Sequence, residues 1–336
     1  MSRMQCLHNH LASGGDSTYG EFTGYVAEVV AEPFDAVVVG GGIFGVWSAI
    51  ELAQKGFKVA LLDAREPGHE AGSSHGDGRI FRMAYTEEIY VNMMKMALEK
   101  WIALEEVSEE KLLYFTGGVH IAKVGDEDSL ILESMYLKLG LIYERLPFRE
   151  ACERFPQFSI EEGWDVLYQP DYGVLFATKC VKACWKHASS LCDTFENQKV
   201  IKIEKKGTSS LVYTNTGKIF LASNVIIAAG AWTSKLLKEH FEFEVPTCVT
   251  AEVVSYFAVD QENAPGHEYT NMPVFISSCD NGLNSYGYYG LPVIEVPGVK
   301  LVSAFFFYIH FEISNTIDRV RIMQASSSAM WNPIDL

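Results

Sequence analysis

Basic residues are scarce in this 336-residue chain: 27 Lys and Arg stand against 43 Asp and Glu, a formal charge of −16. Nucleic-acid binding needs clustered cations that displace the counterions of phosphate, so that class of partner is excluded. Cysteine is sparse and ill-arranged, with seven residues and no CxxC pair, which describes neither a disulfide framework nor a zinc site. Cys180 and Cys184, one helical turn apart, read as small buried apolar residues in a reducing compartment. No metal site is expected. No apolar run reaches about 18 residues, the length that a membrane-crossing helix requires. The first 33 residues have no apolar h-region of the secretory kind and read as a disordered extension. What is present is an ordinary globular composition, 48% apolar, over a length that suits two intertwined domains.

Regular structure is expected from Phe34, where FDAVVV lacks alternation, as in a strand buried on both faces of a parallel sheet. Ile43, Val46, Trp47 and Ile50 recur at helical spacing, Gly56 stands at the helix C-terminus, and FKVALL forms the next strand, ending at Asp63. Strand, helix and strand together have the size of one βαβ unit. A second helix is expected on the pattern Ile89, Met93, Met96, Ala97, Trp101 and Leu104. Further helices are expected near 127–140 and 179–192, with strands near 115–122, 200–204, 210–221 and 224–230. Pro, Gly and β-formers alternate over 245–301, which suits antiparallel strands.

VVVGGGIFG carries the strongest chemistry. Gly40, Gly42 and Gly45 have GxGxxG spacing between a strand and the helix that opens at Ile43, with Asp63 closing the following strand. Gly40 permits the tight turn, Gly42 lets the backbone approach a pyrophosphate at the helix N-terminus, and Gly45 allows close helix–strand contact. Asp63 can accept hydrogen bonds from a ribose. This chemistry alone does not separate FAD from NAD.

In GSSHGDGRIFR, Arg79 and Arg82 are three apart and would share one side of a helical turn. Two arginines there suit a substrate carboxylate or a flavin ring, and a solvated surface pair is the plain alternative. His75 taken alone reads as structural. In IIAAGAWTSKLL a strand ends at Gly230 and runs into a helix, placing small residues where backbone can approach a ligand. YYGLPVIEVPGVKL sets Tyr289 before a Gly-Leu-Pro turn and Lys300 near the close of the last recognisable strand. A lone lysine is ordinarily a solvated one.

In order, these segments resemble the monomeric sarcosine oxidase family, nearest to its peroxisomal sarcosine and L-pipecolate oxidases, from about Phe34 to Leu301. SSHGDGRIFR followed by QPDYGVLF (169–176) is far more particular than the glycine motif. The resemblance implies an α/β fold: a Rossmann-like FAD-binding domain, 34–115 and 150–240, interleaved with an antiparallel-sheet α+β substrate domain, 116–149 and 241–301. It implies FAD rather than NAD, a small amino-acid substrate, and O2 as oxidant. The reaction implied is oxidation of a secondary or N-methyl amino acid to an imine, with release of hydrogen peroxide. The flavin carries the redox chemistry and the protein supplies position and electrostatics. By position, Gly40, Gly42, Ile43, Gly45, Asp63, Ser74, His75, Arg79, Val200, Gly230 and Trp232 would contact FAD. His75 and Arg79 would line the flavin face, Arg82 would pair with the substrate carboxylate, and Tyr289 would be the substrate-side tyrosine. Lys300 matches the lysine whose cation favours developing superoxide.

The texture changes from Val302, where VSAFFFYIHFEI has an aggregation-prone composition. Ala304 stands where the family has a histidine, and neither the flavin-linking cysteine nor a GFSGHGFK-like segment follows. A break is therefore expected at Leu301/Val302, with 302–336 an unrelated tail and the closing elements of the FAD domain missing. FAD would then be held non-covalently and turnover impaired. A non-catalytic FAD-binding fragment and an NAD-dependent dehydrogenase are the alternatives. The resemblance implies a peroxisomal location, but Ile334-Asp335-Leu336 is a poor C-terminal signal, which leaves the cytoplasm as the other expectation.

Overall fold

The computed structural model describes residues 28–30, 32–247, 249, 254–257, 259, 262–280, 285–294 and 301–305. Most of the expected extension and tail therefore lies outside the described residues.

The chain runs through β1 (Glu28–Val29), β2 (Phe34–Val39), α1 (Ile43–Gln54), β3 (Val59–Leu62), β4 (Arg79–Phe81) and α2 (Glu88–Ser108). Next come β5 (Leu113–Phe115), β6 (Gly118–Lys123), α3 (Glu127–Leu139), β7 (Glu144–Pro147), α4 (Phe148–Arg154), β8 (Trp164–Gln169) and β9 (Gly173–Leu175). Then follow α5 (Ala177–Ser189), β10 (Asp193–Phe195), β11 (Val200–Lys206), β12 (Ser209–Thr214), β13 (Lys218–Ile227) and α6 (Thr233–Phe241). The last are β14 (Val254–Phe257), α7 (Ala264–His267), β15 (Val274–Asp280), β16 (Ser285–Leu291) and β17 (Leu301–Phe305). They divide between two compact units. The first draws on the described parts of Met1–Arg79, Lys95–Leu113 and Leu175–Val249, and the second on those of Ile80–Met94, Tyr114–Val174 and Thr250–Leu336.

The first unit is built on a sheet of order β10-β3-β2-β13-β12-β11, with β1 also paired to β13. β10, β3, β2 and β13 run parallel, and β13, β12 and β11 form an antiparallel meander. All of VALL and all of FDAVVV except Asp35 are buried, as expected of parallel strands covered on both faces. α1 buries Gly45, Val46, Ala49 and Ile50 and packs against β2, β3 and α5, with Gly56 just beyond its end. Phe34, Val37, Leu62 and Phe220 anchor the core, and Phe195 meets Phe220 edge-on at 4.9 Å between ring centroids. The stretch expected as one strand over 210–221 is instead the hairpin of β12 and β13, because Thr214–Lys218 turns through a Gly217 amide bonded to the Thr214 carbonyl.

The second unit is built on a sheet of order β14-β17-β16-β15-β6-β8-β7, antiparallel except where β15 lies parallel to β6. One core cluster holds Leu132, Tyr136, Leu167, Tyr172 and Val274; another holds Val119, Val166, Ala151 and Phe155. α3 starts where the Asp126 carboxylate accepts a hydrogen bond from the Ser129 amide at 2.9 Å. Because β8 pairs with β6 along its whole length, residues 150–174 belong here, not with the dinucleotide half as the sequence boundaries had them.

Two expectations are corrected. β17 runs through the expected break at Leu301/Val302 and hydrogen-bonds antiparallel to both β14 and β16, so residues 302–305 continue the sheet of the second unit. On α2 the expected apolar stripe holds only in part: Trp101 and Leu104 are buried, but Ile89, Met93 and Met96 are 61%, 56% and 60% exposed, and Val91, outside the expected pattern, is buried. The helix passes from one unit to the other at Met94/Lys95, and its covered positions Val91, Met94, Leu98, Trp101 and Ser108 recur at helical spacing out of register with Ile89, Met93 and Met96.

Candidate functional site

The glycine loop joins β2 to α1 and is fixed from three sides. Gly40 has φ +104°, and a Cβ there would lie 2.4 Å from the Ala228 carbonyl oxygen, so only glycine fits the turn. The Gly40 amide donates to the Leu62 carbonyl and the Ala228 amide to the Val39 carbonyl, each at 2.8 Å, which seats the loop between the ends of β3 and β13. A Cβ on Gly45 would come 1.7 Å from the Gly40 carbonyl oxygen, which is the close helix–strand contact that the motif requires. The buried Asp63 carboxylate accepts from the Gly41 amide at 2.5 Å and from the Arg65 amide at 2.9 Å, and His69 Nε2 lies 3.5 Å away. Each of its oxygens retains a lone pair for a ribose hydroxyl.

Gly42 is the N-cap of α1 and has no side chain to close the helix end. The Ile43 amide instead donates to the Ser74 hydroxyl at 3.1 Å, bringing the SSHGDGR loop onto the helix N-terminus. Helix amides, an open glycine cap and a carboxylate at the end of the next strand are the donor and acceptor set that a dinucleotide needs, so the residues fit FAD. The loop itself is held by Thr178 at the start of α5, whose hydroxyl accepts from the Gly76 amide at 2.9 Å.

Arg79 folds back on the same loop, its guanidinium donating to the carbonyls of Ser73 at 2.9 Å, His75 at 2.8 Å and Gly78 at 2.7 Å. Burial, with a smaller push from the Arg79 cation, lowers the pKa of His75 and favours its neutral form. Arg79 opens strand β4, so the expected helical turn is an extended segment and the three-residue spacing does not place Arg79 and Arg82 on one side.

Arg82 belongs to the second unit, partly buried, with its guanidinium 4.8 Å above the Tyr85 ring. Among the described residues no carboxylate lies within ion-pair reach of it. The Tyr136 and Tyr172 hydroxyls meet at 3.2 Å, and burial pushes Tyr172 up to about 12 and raises Tyr136 as well. Both stay neutral at physiological pH, and the Arg82 cation acts electrostatically on each. Tyr289 sits partly buried on β16, paired with Ile276 and Ala304. Lys300 lies outside the described residues.

The remaining expected contacts differ in character. Val200 is a core residue at the start of β11, beside a bulge between Val200 and Lys202. Gly230, φ +54°, starts a short 3₁₀ turn that ends at Trp232, and no atom lies within 4 Å of where its Cβ would be. A cavity of about 990 Å³ in the first unit is lined by Arg65, His69, His75, Lys182 and Trp185 among others, adjoining Asp63 and Ser74 in sequence. Burial pushes the Cys180 thiol up to about 12 and raises Cys184, so both behave as inert apolar residues of α5. Among the described residues no cluster of His, Cys, Asp and Glu has metal-binding geometry, and no helix is long and apolar enough to cross a membrane.

Sequence reasoning gave no role to Trp185, Thr178, Tyr85, Tyr136 or Tyr172. Tyr172 lies inside QPDYGVLF, so the motif itself was the signal; Trp185 and Thr178 had none, since their partners are more than a hundred residues away.

A family described as DAO, FAD dependent oxidoreductase, matches residues 35–311. The monomeric sarcosine oxidase of Bacillus sp. (strain B-0618) is 31% identical over 275 residues, 80% of this chain and 67% of that protein. The peroxisomal sarcosine oxidase of Homo sapiens is 30% identical over 271 residues, covering 80% and 68% respectively. The solved structure of NikD, an unusual amino acid oxidase essential for nikkomycin biosynthesis, shares the fold with a TM-score of 0.64 at 22% identity, over 83% of this chain and 70% of that one. The match ends the NAD-dependent alternative, since the family uses FAD. On the glycine loop, the acid at Asp63 and this match together, the chain belongs to the FAD dependent oxidoreductase family, with sarcosine oxidases among its relatives.

Proposed function

We propose that the chain oxidises a secondary or N-methyl amino acid, of the sarcosine or L-pipecolate type, to an imine. The observation that carries this reading is Arg82, a partly buried cation shelved on Tyr85 with no carboxylate in reach among the described residues. Such a guanidinium recognises a planar carboxylate with two parallel hydrogen bonds. Tyr85 fixes the plane of the guanidinium, and the neutral Tyr136–Tyr172 pair adds no competing negative charge beside it. Bound FAD supplies the two-electron acceptor whose reoxidation by O2 yields hydrogen peroxide. His75 and Arg79 are the residues assigned to the flavin face, Tyr289 to the substrate side and Lys300 to oxygen. Non-covalent FAD and a peroxisomal location, the latter carried by the peroxisomal relatives, belong to the same proposal.

The test is protein purified with FAD, assayed for peroxide from sarcosine and from L-pipecolate. Arg82→Met is expected to raise KM by about 10- to 100-fold, the loss of charged hydrogen bonds to the carboxylate. A variant KM within twofold of wild type would remove Arg82 from this role. Flavin that stays oxidised with every secondary amino acid tried would favour the second reading, a non-catalytic FAD-binding protein.

A further inference from the structure

Trp185 lies near the end of α5, is 4% exposed, and is one of six tryptophans in the chain. Its indole Nε1–H donates to the Gly41 carbonyl at 2.7 Å, across 144 residues of sequence. The Nε1–Cε2–Cζ2 edge of the ring also lies close against Gly41: a Cβ there would stand 2.2 Å from Cζ2, 2.8 Å from Cε2 and 3.0 Å from Nε1. The middle glycine of GGG is therefore a contact glycine, required by the ring and not by an unusual φ. Its amide is taken by Asp63, so both polar groups of Gly41 are pinned, one by a strand end and one by a helix.

In a planar trans peptide the C=O and the following N–H point in opposite directions. With the Gly41 carbonyl turned to Trp185, the Gly42 amide must point away from α5, at the N-cap of α1. A carbonyl turned outward at this position would repel an anion; an amide attracts one. We propose that Trp185 is a positioning residue for the cofactor pyrophosphate, holding the Gly41–Gly42 peptide in the orientation that presents an N–H to phosphate. This inference rests on the reading that the chain binds FAD.

The experiment is an FAD titration of four apoproteins: wild type, Trp185→Phe, Gly41→Ala and the double variant. Phenylalanine removes both the N–H and the Cζ2 atom. Trp185→Phe is expected to bind FAD about tenfold more weakly, as the buried carbonyl loses its donor. Gly41→Ala is expected to lose FAD binding more severely, since its Cβ collides with the ring, and the double variant to bind more tightly than Gly41→Ala alone. General destabilisation would make the double variant the worst of the four, so the rescue establishes that ring and glycine meet in the folded protein, while positioning is read from the weaker FAD binding of Trp185→Phe. In wild-type protein, hydrogen exchange of the Trp185 indole N–H is expected to slow when FAD is added, a readout that needs no variant to fold. Equal FAD affinity in wild type and Trp185→Phe, absence of rescue, or an indole exchange rate indifferent to FAD would each overturn the inference while leaving FAD binding intact. A wild-type protein that takes up no FAD would instead overturn the cofactor reading and this inference together.

Discussion

The first unit positions its candidate site with backbone, and the second positions its own with side chains. Around the glycine loop the fixed groups are amides and carbonyls of Gly40, Gly41, Ile43 and Ala228, with Asp63, Ser74 and Trp185 as their side-chain partners among the described residues. Around Arg82 the groups are a cation on an aromatic face, two buried tyrosine hydroxyls and a buried histidine. A backbone site tolerates few residue types at fixed spacing, because each glycine answers a steric demand. A side-chain site can be assembled from many sequences. The two units should therefore respond to mutation differently: sharply and locally in the first, by electrostatics and desolvation in the second.

Gly45→Ala is the largest expected effect. Alanine in a helix interior is worth about 1 kcal/mol over glycine. Against that gain, the new Cβ would stand 1.7 Å from the Gly40 carbonyl oxygen, an atom that the sheet holds in place. Overpacking costs about 1–3 kcal/mol, and a clash with fixed backbone lies at the top of that range, so the net result after the helix gain should be a loss of about 2 kcal/mol in urea unfolding, together with loss of FAD uptake. A variant as stable as wild type, or more so, would mean that α1 and β2 are not in the close contact described and would break the contrast at its stronger end.

Arg145→Ala should come next, in the second unit. Arg145 donates to Asp165 at 2.6 Å and to Glu133 at 3.0 Å, and Asp165 is only 7% exposed. Breaking a fully buried pair costs about 3–5 kcal/mol, whereas a surface pair is worth about 1 kcal/mol at most. With the Arg145 side chain 25% exposed, solvent screens part of the interaction, and a loss near 2 kcal/mol is expected. Denaturant unfolding measures it, with Asp165→Asn/Arg145→Ala recovering part of the loss by removing the stranded charge. No loss in the single variant would place this network at the surface in energetic terms.

The same contrast decides what could be read in the sequence. The βαβ start, the glycine spacing and the acid at Asp63 were legible because their constraints are local and steric. The SSHGDGR loop is legible as a motif, but its sequence suggests a helical turn for the two arginines; a three-residue strand flanked by glycine-rich loop leaves too little periodicity to distinguish the two. α2 is legible as a helix, with Trp101 and Leu104 on its buried side, but its first half carries apolar residues on more than one face, so spacing alone selects the exposed Ile89, Met93 and Met96 over the buried Val91. Residues 302–305 read as foreign because Ala304 stands where the family resemblance implies a histidine and the aromatic run begins at Phe305, yet pairing on both edges draws them into the sheet, and the family match runs past them to residue 311. Trp185 and the Tyr136–Tyr172 contact depend on chain segments far apart, and nothing in their local sequence records the partner.

His120 gives the smallest effect and the finest test of the second unit. It lies on β6, 6% exposed, with no hydrogen-bond partner for Nε2 among the described residues. Burial is the main cause of its lowered pKa, helped by the Arg82 and Arg145 cations and opposed by the Asp126 and Asp128 carboxylates. The unfolded chain, with histidine near 6.5, takes up a proton first as pH falls; the folded protein does not until lower pH. His120 thus costs no stability above about pH 6.5, erodes it as pH falls from there to the folded pKa, and has no further effect below that point. A single group of this kind can remove about 1 kcal/mol between pH 7 and 5.5 at most. His75 and His240 are also lowered, and they contribute to the same slope. The difference between wild type and His120→Gln, followed by urea unfolding from pH 7.5 to 5, isolates the one residue. A shallower slope in the variant is expected; identical slopes would mean that His120 is hydrated in the folded protein, and the second unit would then be less dry around Arg82 than its tyrosines indicate.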